Sequence, residues 1–362
     1  MNISLKYKNE NPKTFLLSQD MPNYIKHKKI NKKGKKAMKN IKKEYNRKNC
    51  IKFYIIIIFI IILIILISAF IFKFRDNKIR NNENFNITEL IESKTNFNNT
   101  VCHFIKRKLK KRKQPFDYED ELSFFISLIL CKIPFSFIRF ADGEESIMAG
   151  KSFNTDKDKW FWNNTNQKFQ KSLIESTSIC LNQNNFIAIP CKNWENVSKS
   201  ILSFSKCDKS KYMSFTTVFY NKNFQFFQNW INEYIHSSNR WKIILVANSL
   251  INKDISWAYK FFPIPDHIVE KWDEISDSLL TKLADEAKQN NLIFFVSAGP
   301  AANIIISYLI KINNKNIYID FGSAIELITK GFSTRLYSKN QHNSLLRCEP
   351  FYLENKNLIY IG

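Results

Sequence analysis

Two carboxylates separated by one glycine are the clearest chemical feature of this sequence. Asp142 and Glu144 flank Gly143 directly after residues 135–140, an apolar and aromatic run that predicts a buried strand. In open α/β sheets, ligands bind beyond the carboxyl ends of the strands. Mg²⁺ is commonly held by one or two carboxylates together with phosphate oxygens. The spacing is therefore typical of either a solvated acidic turn or a site for a hard divalent cation.

Glycine is scarce in this chain, so the positions that keep it are informative. There are 7 glycines in 362 residues, and three of them follow strand-like runs: Gly143, Gly299 and Gly322. Glycine at a strand end permits a positive φ or a close approach of the backbone to a ligand. These turns are candidates for ligand contact, although three ordinary turns would show the same pattern.

A second candidate site lies in residues 294–302, which predict a strand, a short turn and a helix. Pro300 is in the first turn of that helix, where its missing N–H costs nothing. Free backbone amides and the positive end of the helix dipole suit a phosphate group. Ser297 and Gly299 would line such a phosphate site.

Further charged residues lie at or near the strand ends. Asp320 ends a predicted strand, two residues before Gly322. Its carboxylate is expected either to bind a ligand or to cap a short helix predicted at 325–330. Arg139 could fix the acidic turn, reach a phosphate or form a structural ion pair. The candidates for a general base are Glu145, Asp273 and Asp320, each also compatible with a structural role.

The elements that must position these residues alternate between strands and helices. Apolar runs predict strands at 135–140, 185–190, 212–219, 241–248, 292–298 and 316–321. Helical periodicity predicts helices at 117–132, 163–183, 194–206, 223–236, 270–290 and 300–313. Apolar strands separated by helices favour an α/β, Rossmann-like fold: a mostly parallel sheet with helices on both faces. We expect one such domain at 115–362.

Residues 53–72 predict a single membrane-spanning helix. They are 20 consecutive uncharged residues, long enough to cross about 30 Å of hydrocarbon. Residues 33–52 contain 9 Lys and Arg and residues 73–92 contain 4, which favours a cytosolic N-terminus. We therefore expect a type II membrane protein: a basic cytosolic tail at 1–52, a stem at 73–114, and a folded domain that is lumenal (Golgi or ER) or extracellular.

Charge and cysteine content fit that layout. The net charge is +23, and 16 basic residues fall in the tail, where anionic lipid attracts them; we expect no nucleic-acid partner. Six of the seven cysteines follow the membrane segment, which permits up to three disulfides without fixing their pairing. No C-x-x-C pair occurs, so a zinc site is not expected.

Taken together, the three turns resemble those of the GT-D fold glycosyltransferases. That family carries R-F-G-D-G-E early, then a G-P strand–helix turn, then a D-x-G strand end. This chain reads RFADGE at 139–144, Gly299-Pro300, and Asp320-Phe-Gly322. Ala141 replaces a family glycine, and the residues after Gly322 lack the family's histidine-containing run, which leaves the acceptor open.

The resemblance implies a glycosyltransferase that moves a sugar from a nucleotide sugar, a UDP-sugar, to a glycan or glycoprotein acceptor. Asp142 and Glu144 would hold Mn²⁺ or Mg²⁺ against the diphosphate, where the metal neutralises charge on the leaving group. The glycine turns would bind the donor. Two alternatives stay open: a non-enzymatic lumenal module that binds glycans or a partner, and another metal-dependent phosphate-ester enzyme. Oligomeric state is not predicted.

Overall fold

The computed structural model describes residues 99–335, with gaps at 156–159, 165, 182–183, 206–209, 239, 252 and 334. All of them belong to one compact unit, Asn86–Gly362. The predicted tail and membrane segment at 1–72 lie outside the described residues. Within the described part, no helix is both long and apolar enough to cross a membrane.

The described residues alternate between helices and strands. The helices are α1 Asn99–Lys111, α2 Tyr118–Leu130, α3 Asp142–Met148, α4 Gln167–Ser176, α5 Glu195–Phe204, α6 Phe224–His236, α7 Trp272–Ala287, α8 Ala301–Ile312 and α9 Glu326–Thr329. The strands are β1 Ser136–Arg139, β2 Phe153–Thr155, β3 Trp160–Trp162, β4 Asn185–Ile189, β5 Met213–Phe215, β6 Lys242–Asn248, β7 Lys260–Ile264, β8 Leu292–Ser297 and β9 Ile317–Asp320.

Seven of these strands form one wholly parallel sheet in the order β5-β4-β1-β9-β8-β6-β7. Strands β2 and β3 form a separate antiparallel hairpin. Helix α8 packs against α4 and α7 and against strands β1 and β9. Helices cover both sides of the sheet, which confirms the predicted α/β class. Strand β9 lies between two groups of three strands, β5-β4-β1 and β8-β6-β7.

Aromatic side chains form much of the core around β1. Phe125 of α2 contacts Phe137 of β1 with ring centroids 4.9 Å apart, and Phe186 of β4 at 5.0 Å. Phe219 contacts Phe137 at 5.2 Å and Phe321, just beyond β9, at 4.8 Å. Burying each such ring contributes about 2 kcal/mol. The strand that carries Arg139 is therefore held from one side by tightly packed rings.

Several elements differ from the sequence-based prediction. Only Met213–Phe215 of the expected strand 212–219 pairs with β4, because the chain then turns and Thr216 Oγ1 donates to the carbonyl of Phe140 at 2.8 Å. Strand β7 was not predicted, since Pro263 interrupts its pattern; as an edge strand it tolerates the missing N–H. The β2–β3 hairpin and helix α3 were not predicted either.

Residues 99–111, which we expected to belong to the stem, form helix α1 of the folded unit. Ile105 and Leu109 are buried, one turn apart on the same side of this helix. A disulfide joins Cys102 of α1 to Cys131 at the end of α2. The folded domain therefore begins earlier in the chain than residue 115. Cys180 and Cys191 are also disulfide-bonded.

A buried ion pair joins the end of α1 to α2. Arg112 Nη2 lies 2.7 Å from Glu121 Oε1, and both side chains are fully buried. The same nitrogen donates to the carbonyl of Met213 in β5, and Glu121 Oε2 accepts the N–H of Phe116. These bonds attach α1 to the edge of the sheet.

Candidate functional site

The carboxyl ends of three neighbouring strands form one edge at the centre of the sheet. Arg139 ends β1, Asp320 ends β9 and Ser297 ends β8, and these strands lie side by side in the order β1-β9-β8. In the register of the sheet, Val296 lies beside Asp320. Parallel strands thus place the ends of the three sequence motifs on adjacent positions of one edge.

Arg139 and Asp320 form a bidentate ion pair across this edge. The guanidinium Nε lies 3.1 Å from Asp320 Oδ2, and Nη2 lies 3.2 Å from Oδ1. Their side chains are 14% and 3% exposed, so the ion pair is almost completely shielded from solvent. Of the three roles considered for Arg139, the structure shows the ion pair.

Tyr220 completes the coordination of the guanidinium. Its hydroxyl accepts a short hydrogen bond from Arg139 Nη1 and donates to the carbonyl of Phe321 at 2.9 Å. The Arg139 guanidinium also lies over the Tyr220 ring, 5.2 Å from its centroid. All three nitrogens of the guanidinium are therefore engaged within the protein, which makes Arg139 a positioning group.

Gly322 is required by this ion pair. Its φ is +50°, and a Cβ at this position would lie 1.8 Å from Arg139 Nη2 and 2.8 Å from the Tyr220 hydroxyl. Its N–H donates to Asp320 Oδ1 at 2.9 Å. The third glycine turn thus makes room for the arginine of the first motif.

Burial and mutual attraction compete in setting the protonation of the pair. Burial opposes the charge of Arg139, but the Asp320 carboxylate more than offsets it and holds the pKa of the guanidinium above its ordinary value. Burial raises the pKa of Asp320, and the Arg139 guanidinium opposes that shift. A general base must be free to take up a proton, and Asp320 is instead bound to Arg139.

Asp142 and Glu144 lie on the first turn of α3, a helix that begins directly after β1. Successive helical residues are rotated by about 100°, so side chains at i and i+2 leave the helix on different sides. Glu144 Oε2 reaches back and accepts the N–H of Ala141 at 2.9 Å, capping the helix. Asp142 has no hydrogen-bond or ion-pair partner among the residues that the structure describes. The two carboxylates are therefore in different surroundings.

The Glu144 carboxyl group has a raised pKa in this environment. Burial raises its pKa to about 7, the Ala141 N–H opposes the shift, and the nearby Asp320 carboxylate adds to it. A cation bound by Glu144 would therefore compete with a proton at and below that pH.

The turn after β8 leads directly into helix α8. Gly299 has φ +53°, Pro300 precedes the first residue of α8, and the carbonyl of Gly299 accepts the N–H of Ala302 at 3.0 Å. Asn303, in the first turn of α8, donates from Nδ2 to the carbonyl of Arg139 at 2.8 Å. This bond ties the N-terminus of α8 to the end of β1.

An aromatic hairpin lies over the starts of both helices. A Cβ added at Gly143 would be 2.8 Å from Trp160 of β3, and one added at Gly299 would be 3.7 Å from the indole Nε1 of the same residue. Phe153 of β2 stacks on Trp160 with centroids 5.2 Å apart. Gly143 therefore makes room for a side chain of the protein itself, whereas a Cβ at Gly299 would only touch the indole and the positive φ is what favours glycine there.

The remaining candidate bases are placed elsewhere or are occupied. Glu145 Oε1 accepts hydrogen bonds from Ser200 at 2.6 Å and Lys151 at 3.1 Å. Asp273 is exposed in the first turn of α7. Tyr220 and Trp160 were missed by the sequence analysis, because both lie outside the three motifs and nothing local distinguishes them from core residues.

The residues at this edge fit a divalent cation only in part. The described residues contain no group of three or more His, Cys, Asp and Glu side chains that could hold a metal ion. Within the described part of the chain the Asp142 carboxylate has no partner, and one carboxylate is enough when phosphate oxygens and water complete the coordination of Mg²⁺. Glu144 has one oxygen engaged with Ala141. The predicted joint site stays a prediction, with Asp142 as its better-placed ligand.

No family model matches this sequence, and no curated protein matches it. Two solved structures of a domain of unknown function, DUF1792, are similar to it. One is described as having a distinct glycosyltransferase fold; it is 17% identical, with a TM-score of 0.43. The other, a selenomethionine-substituted form, is 16% identical with a TM-score of 0.42. Each likeness covers 70% of this chain and 96% of that chain.

Proposed function

We propose that this chain is a glycosyltransferase that takes its sugar from a nucleotide-sugar donor, with a UDP-sugar as the first candidate. One observation carries the proposal: Asp142, whose carboxylate has no partner among the residues that the structure describes, and the glycine turn that opens α8 both lie at the central carboxyl edge of a parallel sheet. A carboxylate suits a hard cation, and a helix N-terminus suits a phosphate. A sugar diphosphate with its cation needs both.

The residues at this edge divide into those that bind and those that position. Asp142 would hold Mn²⁺ or Mg²⁺, which neutralises charge on the departing nucleoside diphosphate. Ser297 and the first turn of α8 would bind phosphate oxygens. Arg139 and Asp320 hold the ends of β1 and β9 in register, so that both turns keep their shape.

The setting of the reaction is part of the proposal. The acceptor is a glycan or glycoprotein, and the domain works on the lumenal or extracellular side of a membrane that residues 53–72 span. The basic excess before that segment supports this orientation. Protease added to sealed microsomes should therefore remove only residues 1–52, whereas digestion of the folded unit without detergent would contradict the orientation.

Calorimetric titration of UDP-sugars into the full-length protein tests the donor site. Binding by the wild type should require Mn²⁺ or Mg²⁺. Asp142→Asn removes the charge and keeps the shape, so affinity should fall at least about tenfold, because a cation–carboxylate contact is lost. The matched control is Asp277→Asn, which removes an exposed carboxylate on α7 and should change nothing.

The alternatives predict different results. Equal, metal-independent binding by the wild type and Asp142→Asn would favour the non-enzymatic binding module. Metal-dependent binding that Glu144→Gln weakens as much as Asp142→Asn would establish the joint cation site predicted from the sequence. Release of free sugar and nucleoside diphosphate, assayed with the same proteins, would show that the bond between sugar and diphosphate is cleaved with water as the acceptor, as in the side reaction of a transferase without its acceptor. Release of a sugar phosphate would instead favour the phosphate-ester enzyme.

A further inference from the structure

The indole of Trp160 is an unusual feature of the edge where α3 and α8 begin. Trp160 is 8% exposed, and its indole N–H has no hydrogen-bond partner among the described residues. Its nitrogen is not one of the enclosed side-chain atoms that lack a partner in the described residues, a set that includes Trp162 Nε1, so the Trp160 N–H stays accessible to a ligand. Nε1 lies 3.7 Å from where a Cβ on Gly299 would be, at the turn that opens α8. An accessible N–H donor therefore lies beside the N-terminus of α8.

Trp160 is held rigidly in this position. Its ring stacks on Phe153, with centroids 5.2 Å apart and planes at 29°. The next residue, Phe161, donates its N–H to Glu270 Oε1 at 2.7 Å, which fastens the hairpin to the segment before α7. On its other side the indole touches Gly143, where any Cβ would lie 2.8 Å away. The orientation of the N–H is thus fixed before any ligand arrives.

We propose that Trp160 is a donor-binding residue whose indole N–H donates to a phosphoryl oxygen of a nucleoside diphosphate seated at the Gly299 turn. An anionic oxygen fits best, because the N-terminus of α8 carries positive dipole charge and the indole adds a second donor beside it. The inference rests on the proposed function and adds to it a residue outside the three motifs. It also gives Gly143 a role, since a side chain there would displace the indole.

The chain supplies a matched control two residues away. Trp162 lies on the same strand and is also buried, and its Nε1 also has no hydrogen-bond partner in the described part of the chain. Trp162 packs against Phe169 of α4. Trp160→Phe and Trp162→Phe therefore remove the same N–H group from the same hairpin, and only the first removes it beside Gly299.

The test titrates full-length protein in detergent micelles with UDP, pyrophosphate and uridine in the presence of Mg²⁺. Trp160→Phe should weaken UDP and pyrophosphate at least about tenfold, since a hydrogen bond to a charged group is lost, and leave any uridine binding unchanged. Trp162→Phe should bind all three as the wild type does. As a measurement that needs no folded variant, the Trp160 indole resonance in ¹⁵N-labelled wild type should shift with pyrophosphate while that of Trp162 stays in place.

The possible failures are distinguishable. If the wild type binds neither UDP nor pyrophosphate, the proposed function and this inference both fall. If the wild type binds both ligands and Trp160→Phe binds them equally well, with no shift of the Trp160 resonance, the donor site stands and Trp160 has no part in it.

Discussion

Replacing Gly322 with alanine should disrupt the ion pair at the centre of the site. The new Cβ would lie 1.8 Å from Arg139 Nη2 and 2.7 Å from its Cζ. A guanidinium cannot share that space with a methyl group, so Arg139 must move away from Asp320. The move leaves a carboxylate that is 3% exposed without its cation.

The expected loss of stability has two parts. Alanine at φ +50° costs about 1–2 kcal/mol in the left-handed region. Leaving one member of a buried ion pair without its partner costs about 3–5 kcal/mol. Because the contacts with Tyr220 are disturbed as well, we expect Gly322→Ala to lower the free energy of unfolding by at least about 4 kcal/mol.

A second glycine isolates the effect of the contact from that of the backbone. Gly150 has φ +68°, but the nearest atom to an added Cβ is 3.4 Å away, so Gly150→Ala should cost only the backbone part, about 1–2 kcal/mol. Urea unfolding of the full-length proteins, followed by circular dichroism, measures both variants. Equal losses for Gly150→Ala and Gly322→Ala would refute the reasoning.

Three further predictions concern other parts of the unit. Burial raises the pKa of Glu144 to about 7, so the folded state binds its proton more tightly than the unfolded state does. The resulting stabilisation is complete below about pH 4 and is lost as the pH rises through 7. Over that range the free energy of unfolding should fall by at most about 3 kcal/mol more in the wild type than in Glu144→Gln. Arg112→Met should lower the stability of the folded unit by about 3–5 kcal/mol, because it leaves Glu121 buried without its partner. The double variant Arg112→Met with Glu121→Leu should lose much less stability in thermal unfolding. Equal losses for the single and double variants would exclude coupling of the pair. A protein that begins at residue 113 lacks Cys102 and Arg112 and should fail to fold. One that begins at residue 86 should give a folded, unaggregated species by circular dichroism and size exclusion.

The strands of the sheet could be predicted because their residues are apolar on both faces. The runs at 241–248 and 292–298 correspond closely to Lys242–Asn248 and Leu292–Ser297. A parallel sheet covered by helices buries both sides of its strands, so each strand reads as a short continuous apolar run. Helical periodicity between the runs then fixed the fold class.

The site was harder to predict, because its contacts join distant parts of the chain. Arg139 and Asp320 are separated by 181 positions, and no local pattern marks them as partners. The turn after β1 was interpreted as two converging carboxylates, whereas the chain enters a helix at Asp142. Gly143 within the first turn disfavours a helix by intrinsic propensity, and only tertiary packing overrides it.

Helix α1 was missed although its signal is present. Val101, Ile105 and Leu109 recur at intervals of four, the spacing of one helical face. Basic residues surround them, and the segment was interpreted as a polar stem for that reason. The acidic partner of Arg112 is Glu121 of α2, nine positions along the chain, and no hydrophobic pattern reports such an ion pair.

The position of β9 has a consequence for the order in which the protein folds. Within the described sheet, β9 alone joins the group β5-β4-β1 to the group β8-β6-β7, and it is the last of the nine strands to be synthesised. Until residue 320 is available, β1 and β8 each present an unpaired inner edge. Long-range pairing of this kind folds slowly and exposes intermediates to aggregation. When β9 pairs with β1 and β8, it closes the sheet and also brings Asp320 to Arg139. The ion pair of the site and the central part of the core therefore form together.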